Sequence, residues 1–120
     1  MNKAKEKGHY VAHLSPPNHP GFPDILLMWD DFCLMIEVKD LSKIGPKQKM
    51  SVLFTDAQPP FFMKMVNAKC YIRVAGYLNN KIYSFEVENQ KMIDDLFLLG
   101  RDEYLGAYGL IAQNIEELLP

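Results

Sequence analysis

Apolar residues fall along this chain in short runs divided by polar and proline-rich breaks. Asp24 to Trp29 and Phe32 to Lys39 are each of strand length and apolar at nearly every position, with only Asp30-Asp31 between them. Two such runs joined by a polar pair predict a β-hairpin. Their near-continuous apolar character predicts strands covered on both faces. Upstream, Ser15 to Pro23 carries four prolines and Gly21, which predicts a stiff loop. Downstream, Asp40 to Lys49 is a polar connection containing Gly45-Pro46, and Met50 to Phe54 fits either strand or loop.

A helix is expected to begin near Thr55 or Asp56, with Phe61, Phe62, Met65 and Val66 as its apolar stripe. Pro59 and Pro60 are expected to distort its first turns. Cys70 to Leu78 and Lys81 to Glu88 predict a second hairpin, turning at Asn79-Asn80, because Asn tolerates the positive φ of such turns. A short helix over 90–99 should stop at Gly100 as its C′ residue. Tyr108 to Ala112 predicts a last strand, and Asn114 a cap for a terminal turn from Ile115 to Leu118.

Composition narrows the class. The chain has 120 residues, 48% hydrophobic and 23% charged, which suits a single domain over 1–120. No apolar run approaches the roughly 18 residues of a membrane span. The basic start MNKAKEKGHYVAH lacks an apolar segment behind it, so no secretory signal is visible. A small soluble intracellular domain is expected, with Cys33 and Cys70 as reduced core residues. The net charge of −2 hides an asymmetry: 11 Lys/Arg against 7 Asp/Glu through Lys81 leave +4, and 2 against 8 thereafter leave −6. The basic share clusters at Lys3, Lys5 and Lys7, and at Lys39, Lys43, Lys47 and Lys49. Nucleic-acid binding needs such local positive potential, although a solvated loop has the same composition. The acids at Asp94, Asp95, Asp102, Glu103, Glu116 and Glu117 are expected on a solvated surface away from a phosphate backbone.

The first hairpin carries the candidate chemistry. With its turn centred between Asp30 and Asp31, Trp29 faces Phe32, Leu27 faces Leu34, and Asp24 faces Glu37. Strand alternation then puts Lys39 on the same face as Glu37. Opposed side chains have Cβ atoms about 4.5–5.5 Å apart, so the two carboxylates repel unless a cation lies between them. Mg²⁺ suits such a site, held by Asp24, Glu37 and the Val38 carbonyl. It would acidify a bound water and offset charge at phosphorus, while Lys39 positions that water or stabilises the transition-state anion. The plainer reading is an exposed Glu37–Lys39 ion pair at a strand end, with Asp24 capping a loop. His9, His13 and His19 could assist with a proton, though surface histidines are commoner. Phe61 and Phe62 read as core rather than base-stacking residues, while Trp29, beside the turn, fits base stacking and packing under a neighbour equally.

Gly21-Phe22-Pro23-Asp24-Ile25-Leu26-Leu27, followed by Ile36-Glu37-Val38-Lys39, resembles the core motif of the PD-(D/E)XK nuclease superfamily. Within it the chain is most similar to small VRR-NUC and Holliday-junction-resolvase-like nucleases, several of them encoded by bacteriophages. The resemblance covers about residues 20 to 75. It implies an α/β fold with a restriction-endonuclease-like mixed β-sheet and flanking helices, Mg²⁺ or Mn²⁺ dependence, and DNA cleavage leaving a 5′-phosphate. Branched or junction DNA as substrate, a cytoplasmic location (host cytoplasm for a phage protein) and a twofold dimer are compatible with it. Such nucleases carry a glutamine in the helix after the lysine strand, and Gln58 matches by position. Thr55 to Gln58 also spells T-x-x-Q, a capping box in which glutamine satisfies backbone donors. Many relatives add an upstream acid; Glu6 is the sole acid before Asp24. The alternative function is a catalytically inactive nuclease-fold protein acting in nucleic-acid binding or assembly. A third is an α/β interaction module with a coincidental motif.

Overall fold

Unbroken apolar runs need partners on both edges and cover on both faces, and the first hairpin obtains them in a mixed sheet. The computed structural model describes residues 10–13, 24–29 and 32–112. Among the described residues six strands lie in the order of the chain: β1 (Tyr10–His13), β2 (Ile25–Trp29), β3 (Phe32–Asp40), β4 (Tyr71–Leu78), β5 (Lys81–Val87) and β6 (Leu110–Ala112). β2 and β3 are antiparallel in the expected register, Trp29 opposite Phe32, Leu27 opposite Leu34 and Ile25 opposite Ile36. β3 and β4 are parallel, with Glu37 beside Val74 and Lys39 beside Gly76. A parallel pair needs a long crossover; residues 41–70 supply it and contain helix α1 (Gln58–Asn67). The other neighbouring pairs are antiparallel. The architecture is thus mixed α/β, as expected at that level.

Alternation along β3 sorts its side chains between two cores. Met35 joins Ile72, Val74, Phe85 and Val87 on the face covered by α1, α2 (Gln90–Leu98) and α3 (Arg101–Tyr108). Leu34 and Ile36 join Leu27, Ala75 and Ala112 in a second buried cluster. The Asn79-Asn80 turn forms as expected, with φ of 52° and 63°, the two positive values of a type I′ turn.

Several expectations are corrected. Pro59 and Pro60 lie in the first turn of α1, where backbone N–H groups have no intrahelical acceptor, so the helix simply starts at Gln58. Met50–Leu53 is a 3₁₀ turn, as is Leu41–Lys43. The second helix ends at Leu98, and Gly100 is no left-handed C′ residue: its φ is −71° and it caps the start of α3. A Cβ there would stand 2.9 Å from the Lys47 carbonyl oxygen, a close approach that only glycine permits. Sequence reading missed α3, whose buried face includes Arg101. The Arg101 guanidinium donates to the carbonyls of Leu41 at 3.2 Å and Ile44 at 2.7 Å. It also missed β1.

Cys33 and Cys70 are joined as a disulfide, which corrects the expectation of two thiols. The parallel register that sets Leu34 beside Tyr71 brings their Cα atoms to 4.9 Å, within disulfide range. Asp95 is buried rather than solvated, accepting from the Tyr108 hydroxyl and, at 2.8 Å, from Lys91 Nζ; both contacts lower its pKa. Asp94, Asp102 and Glu103 are exposed as expected. Among the described residues no helix is long and apolar enough to cross a membrane. The loop over 15–23, the Asp30-Asp31 pair and the turn after Asn114 lie outside the described residues.

Candidate functional site

β2 pairs with β3 only as far as Ile25 opposite Ile36, so the last residues of β3 lack a β2 backbone partner. The Asp24 side chain takes that place: its Oδ2 accepts the Val38 N–H at 2.9 Å. In an extended strand a residue's C=O points to the same edge as its N–H. The Val38 carbonyl therefore faces the Asp24 edge.

Glu37 is 2% exposed, beneath the start of α1. Its Oε2 accepts from Gln58 Nε2 and lies 3.2 Å from Lys39 Nζ. Its Oε1 is buried and receives no hydrogen bond. Burial first, and then a hydrogen bond with the Asp24 carboxyl, push the Glu37 pKa up to about 7, against the pull of Lys39. The pair therefore holds a proton readily, which is the expected response of close acids in a dry setting.

Lys39 is the third member. Its Nζ donates to Gln58 Oε1 at 3.0 Å and stands 4.8 Å from the centroid of the Phe54 ring. Its side chain is 14% exposed, against 3% for Glu37, so the reading of an exposed surface pair is corrected.

Gln58, 5% exposed, closes the arrangement. Its Oε1 accepts the Thr55 N–H at 3.0 Å as well as Lys39 Nζ. With the carbonyl end turned to these two donors, the NH₂ end must face Glu37. The capping contact and the site contacts therefore coexist, and the first sets the polarity of the second. Gln58 is the first residue of α1 rather than the third, which corrects the capping-box position.

Asp24, Glu37, Lys39 and Gln58 are thus brought together by two strands and one helix start. The Thr55 contact was signalled by T-x-x-Q; Phe54 was missed by sequence reasoning, and nothing local marked it. Among the described residues no group of three or more His, Cys, Asp or Glu side chains forms a metal cluster. The donors present are two carboxylates and the Val38 carbonyl. Such an all-oxygen set suits a hard cation that keeps several waters, and the hydrogen-bond-free Glu37 Oε1 is a donor atom of that kind.

Glu6, His9 and His19 lie outside the described residues, as do the side chains of His13 and Trp29. Phe62 is fully buried and Phe61 packs against the same core, as expected. Lys43 and Lys47 are exposed; Lys49 donates to the Leu98 carbonyl at 2.8 Å. A cavity of about 460 Å³ lies elsewhere, bordered by Arg73, Glu86, Lys91 and Tyr108. Two ion pairs lie along it, Arg73 with Glu86 and Lys91 with Asp95. No protein-family model matches the chain, and no curated protein shows significant similarity to it.

Proposed function

We propose that this chain is a metal-dependent endodeoxyribonuclease with a restriction-endonuclease-like fold. The observation that carries the reading is Glu37: a buried acid opposite Asp24, with one oxygen held by Gln58 and the other without a donor. Burying a carboxylate is costly unless something compensates. A divalent cation facing Oε1 would supply that compensation. The antiparallel β2–β3 hairpin beside a parallel β4, with α1 in the crossover, supports the fold assignment.

Asp24, Glu37 and the Val38 carbonyl would hold Mg²⁺ or Mn²⁺. Bound there, the cation would supply an acidified water and charge neutralisation at phosphorus. Lys39 Nζ would donate to a phosphate oxygen as negative charge grows on it, acting as a compact point charge. Gln58 would keep Lys39 and Glu37 in register. Lys43 and Lys47 offer exposed positive charge for a phosphate backbone. Branched or junction DNA is the preferred substrate in this reading, and a twofold dimer would place two sites for paired cuts.

The second reading is a nuclease-fold protein that binds nucleic acid or assists assembly without cleaving. It is favoured by the two-carboxylate donor set, which has no third acid among the described residues.

The test is cleavage of linear, single-stranded, flapped and four-way-junction DNA with Mn²⁺, alongside Mn²⁺ titration calorimetry. Lys39→Ala and Glu37→Ala are each expected to lose about 100-fold or more of the cleavage rate while remaining folded. Equal rates in all three proteins, or a wild type that binds no Mn²⁺ with or without DNA, would refute the enzyme.

A further inference from the structure

Lys39 has more support than its hydrogen bonds explain. Its ammonium has three N–H donors. Two polar partners are in place, Gln58 Oε1 at 3.0 Å and Glu37 Oε2 at 3.2 Å. The remaining described contact is apolar, with the Phe54 ring centroid 4.8 Å from Nζ. A cation within about 6 Å of an aromatic centroid is attracted by the ring quadrupole, and more strongly where water is excluded. Water is largely excluded here: Phe54 is 8% exposed and the Lys39 side chain 14%.

The ring is itself held in place. Phe62 of α1 meets it edge-on, with centroids 5.9 Å apart and planes at 89°. Phe62 is fully buried, so the pair is anchored in the core. Phe54 also directly precedes Thr55, whose N–H fixes the Gln58 carbonyl. One short segment thereby sets both the floor beneath Lys39 and the amide beside it.

A ring face differs from a hydrogen-bond partner in one useful way. It attracts the charge without fixing a particular N–H direction. The ammonium can therefore rotate its donors from Gln58 and Glu37 toward an arriving phosphate oxygen without leaving its seat.

We propose that Phe54 is a positioning residue for the reaction, a cation–π seat that holds Lys39 Nζ beside Asp24 and Glu37 while leaving its donors free to turn. This rests on the nuclease reading.

The experiment replaces Phe54 with mono-, di- and trifluorophenylalanine, which progressively weaken the ring quadrupole at nearly constant shape. Single-turnover DNA cleavage with Mn²⁺, Mn²⁺ affinity and the thermal midpoint are read for each protein. The rate is expected to fall stepwise, by about three- to thirty-fold at the trifluoro ring, with Mn²⁺ affinity and midpoint unchanged. The Lys39 ε-methylene protons, shifted upfield by the ring current, should lose that shift in Phe54→Leu. A purely structural role for Phe54 would leave the rate flat across the series. Flat rates in a wild type that cleaves, or unshifted Lys39 protons, overturn the seat and leave the nuclease standing. A wild type that cleaves no substrate overturns the nuclease reading and the positioning role together.

Discussion

At the residue scale, the proton on Glu37 governs two measurable properties. Its carboxyl has a pKa of about 7 against the ordinary 4.5, mainly because it is buried beside Asp24. A raised folded-state pKa means that the folded form binds the proton more tightly than the unfolded chain does. The resulting stabilisation is fully present below about pH 4.5 and is lost as pH rises through about 7. The metal-free wild type is therefore expected to lose thermal stability between pH 5 and 8 relative to Glu37→Gln, which cannot ionise; parallel profiles would contradict this. In the proposed nuclease the same proton would compete with the bound cation. Mn²⁺ affinity is expected to fall about tenfold per pH unit below 7, with a proton released on binding. Calorimetry in buffers of different ionisation enthalpy measures both quantities.

At the scale of elements, the site depends on how β3 ends and on what lies against it. β3 passes directly into the 3₁₀ turn Leu41–Lys43, and Leu41 is buried against β4 at Gly76. A Cβ at Gly76 would stand 2.6 Å from Leu41 Cγ. Because Gly76 is the register partner of Lys39, the displacement would fall beside the site. Gly76→Ala is expected to cost about 1–3 kcal/mol in urea denaturation, the usual range for overpacking a filled core. It should also weaken Mn²⁺ binding. An unchanged urea midpoint would show that Leu41 can move aside.

Across the whole molecule, the Cys33–Cys70 disulfide spans 37 residues and ties β3 to the entry of β4. Closing a loop of that size restricts the unfolded chain by about 4 kcal/mol in the chain-entropy model, with measured values commonly about 2–4. Reduction, or Cys33→Ala with Cys70→Ala, is expected to lower stability by that amount, read as the shift in urea midpoint. Thiol titration of the untreated, denatured protein should find no free thiol; two would contradict the link.

What the sequence alone determined is local. The Ile25–Trp29 and Phe32–Asp40 hairpin and its register followed from a polar pair between apolar runs, the period of two then set Glu37 and Lys39 on one face, and Asp24 lies at the adjoining end of β2. The Asn79-Asn80 turn was legible for the same reason, since positive φ is a property of single residues. Gln58 was legible as the glutamine of a T-x-x-Q capping box, and its place beside Glu37 and Lys39 came from the resemblance alone; its double role appears once α1 is set over β3. Tertiary structure decided what depends on distant chain. Nothing in the local sequence marks Arg101, whose guanidinium finds the carbonyls of Leu41 and Ile44, about sixty residues earlier, only in the folded chain. Cys33 and Cys70 read as thiols until parallel pairing sets them side by side. Asp95 reads as solvated until Tyr108 closes over it. Phe54 is an ordinary core aromatic until Lys39 lies over its face. Spacing encodes periodicity and turns, which are short-range. Burial and partnership arise only when separate segments exclude water together, and that decides the charge and reactivity of the site.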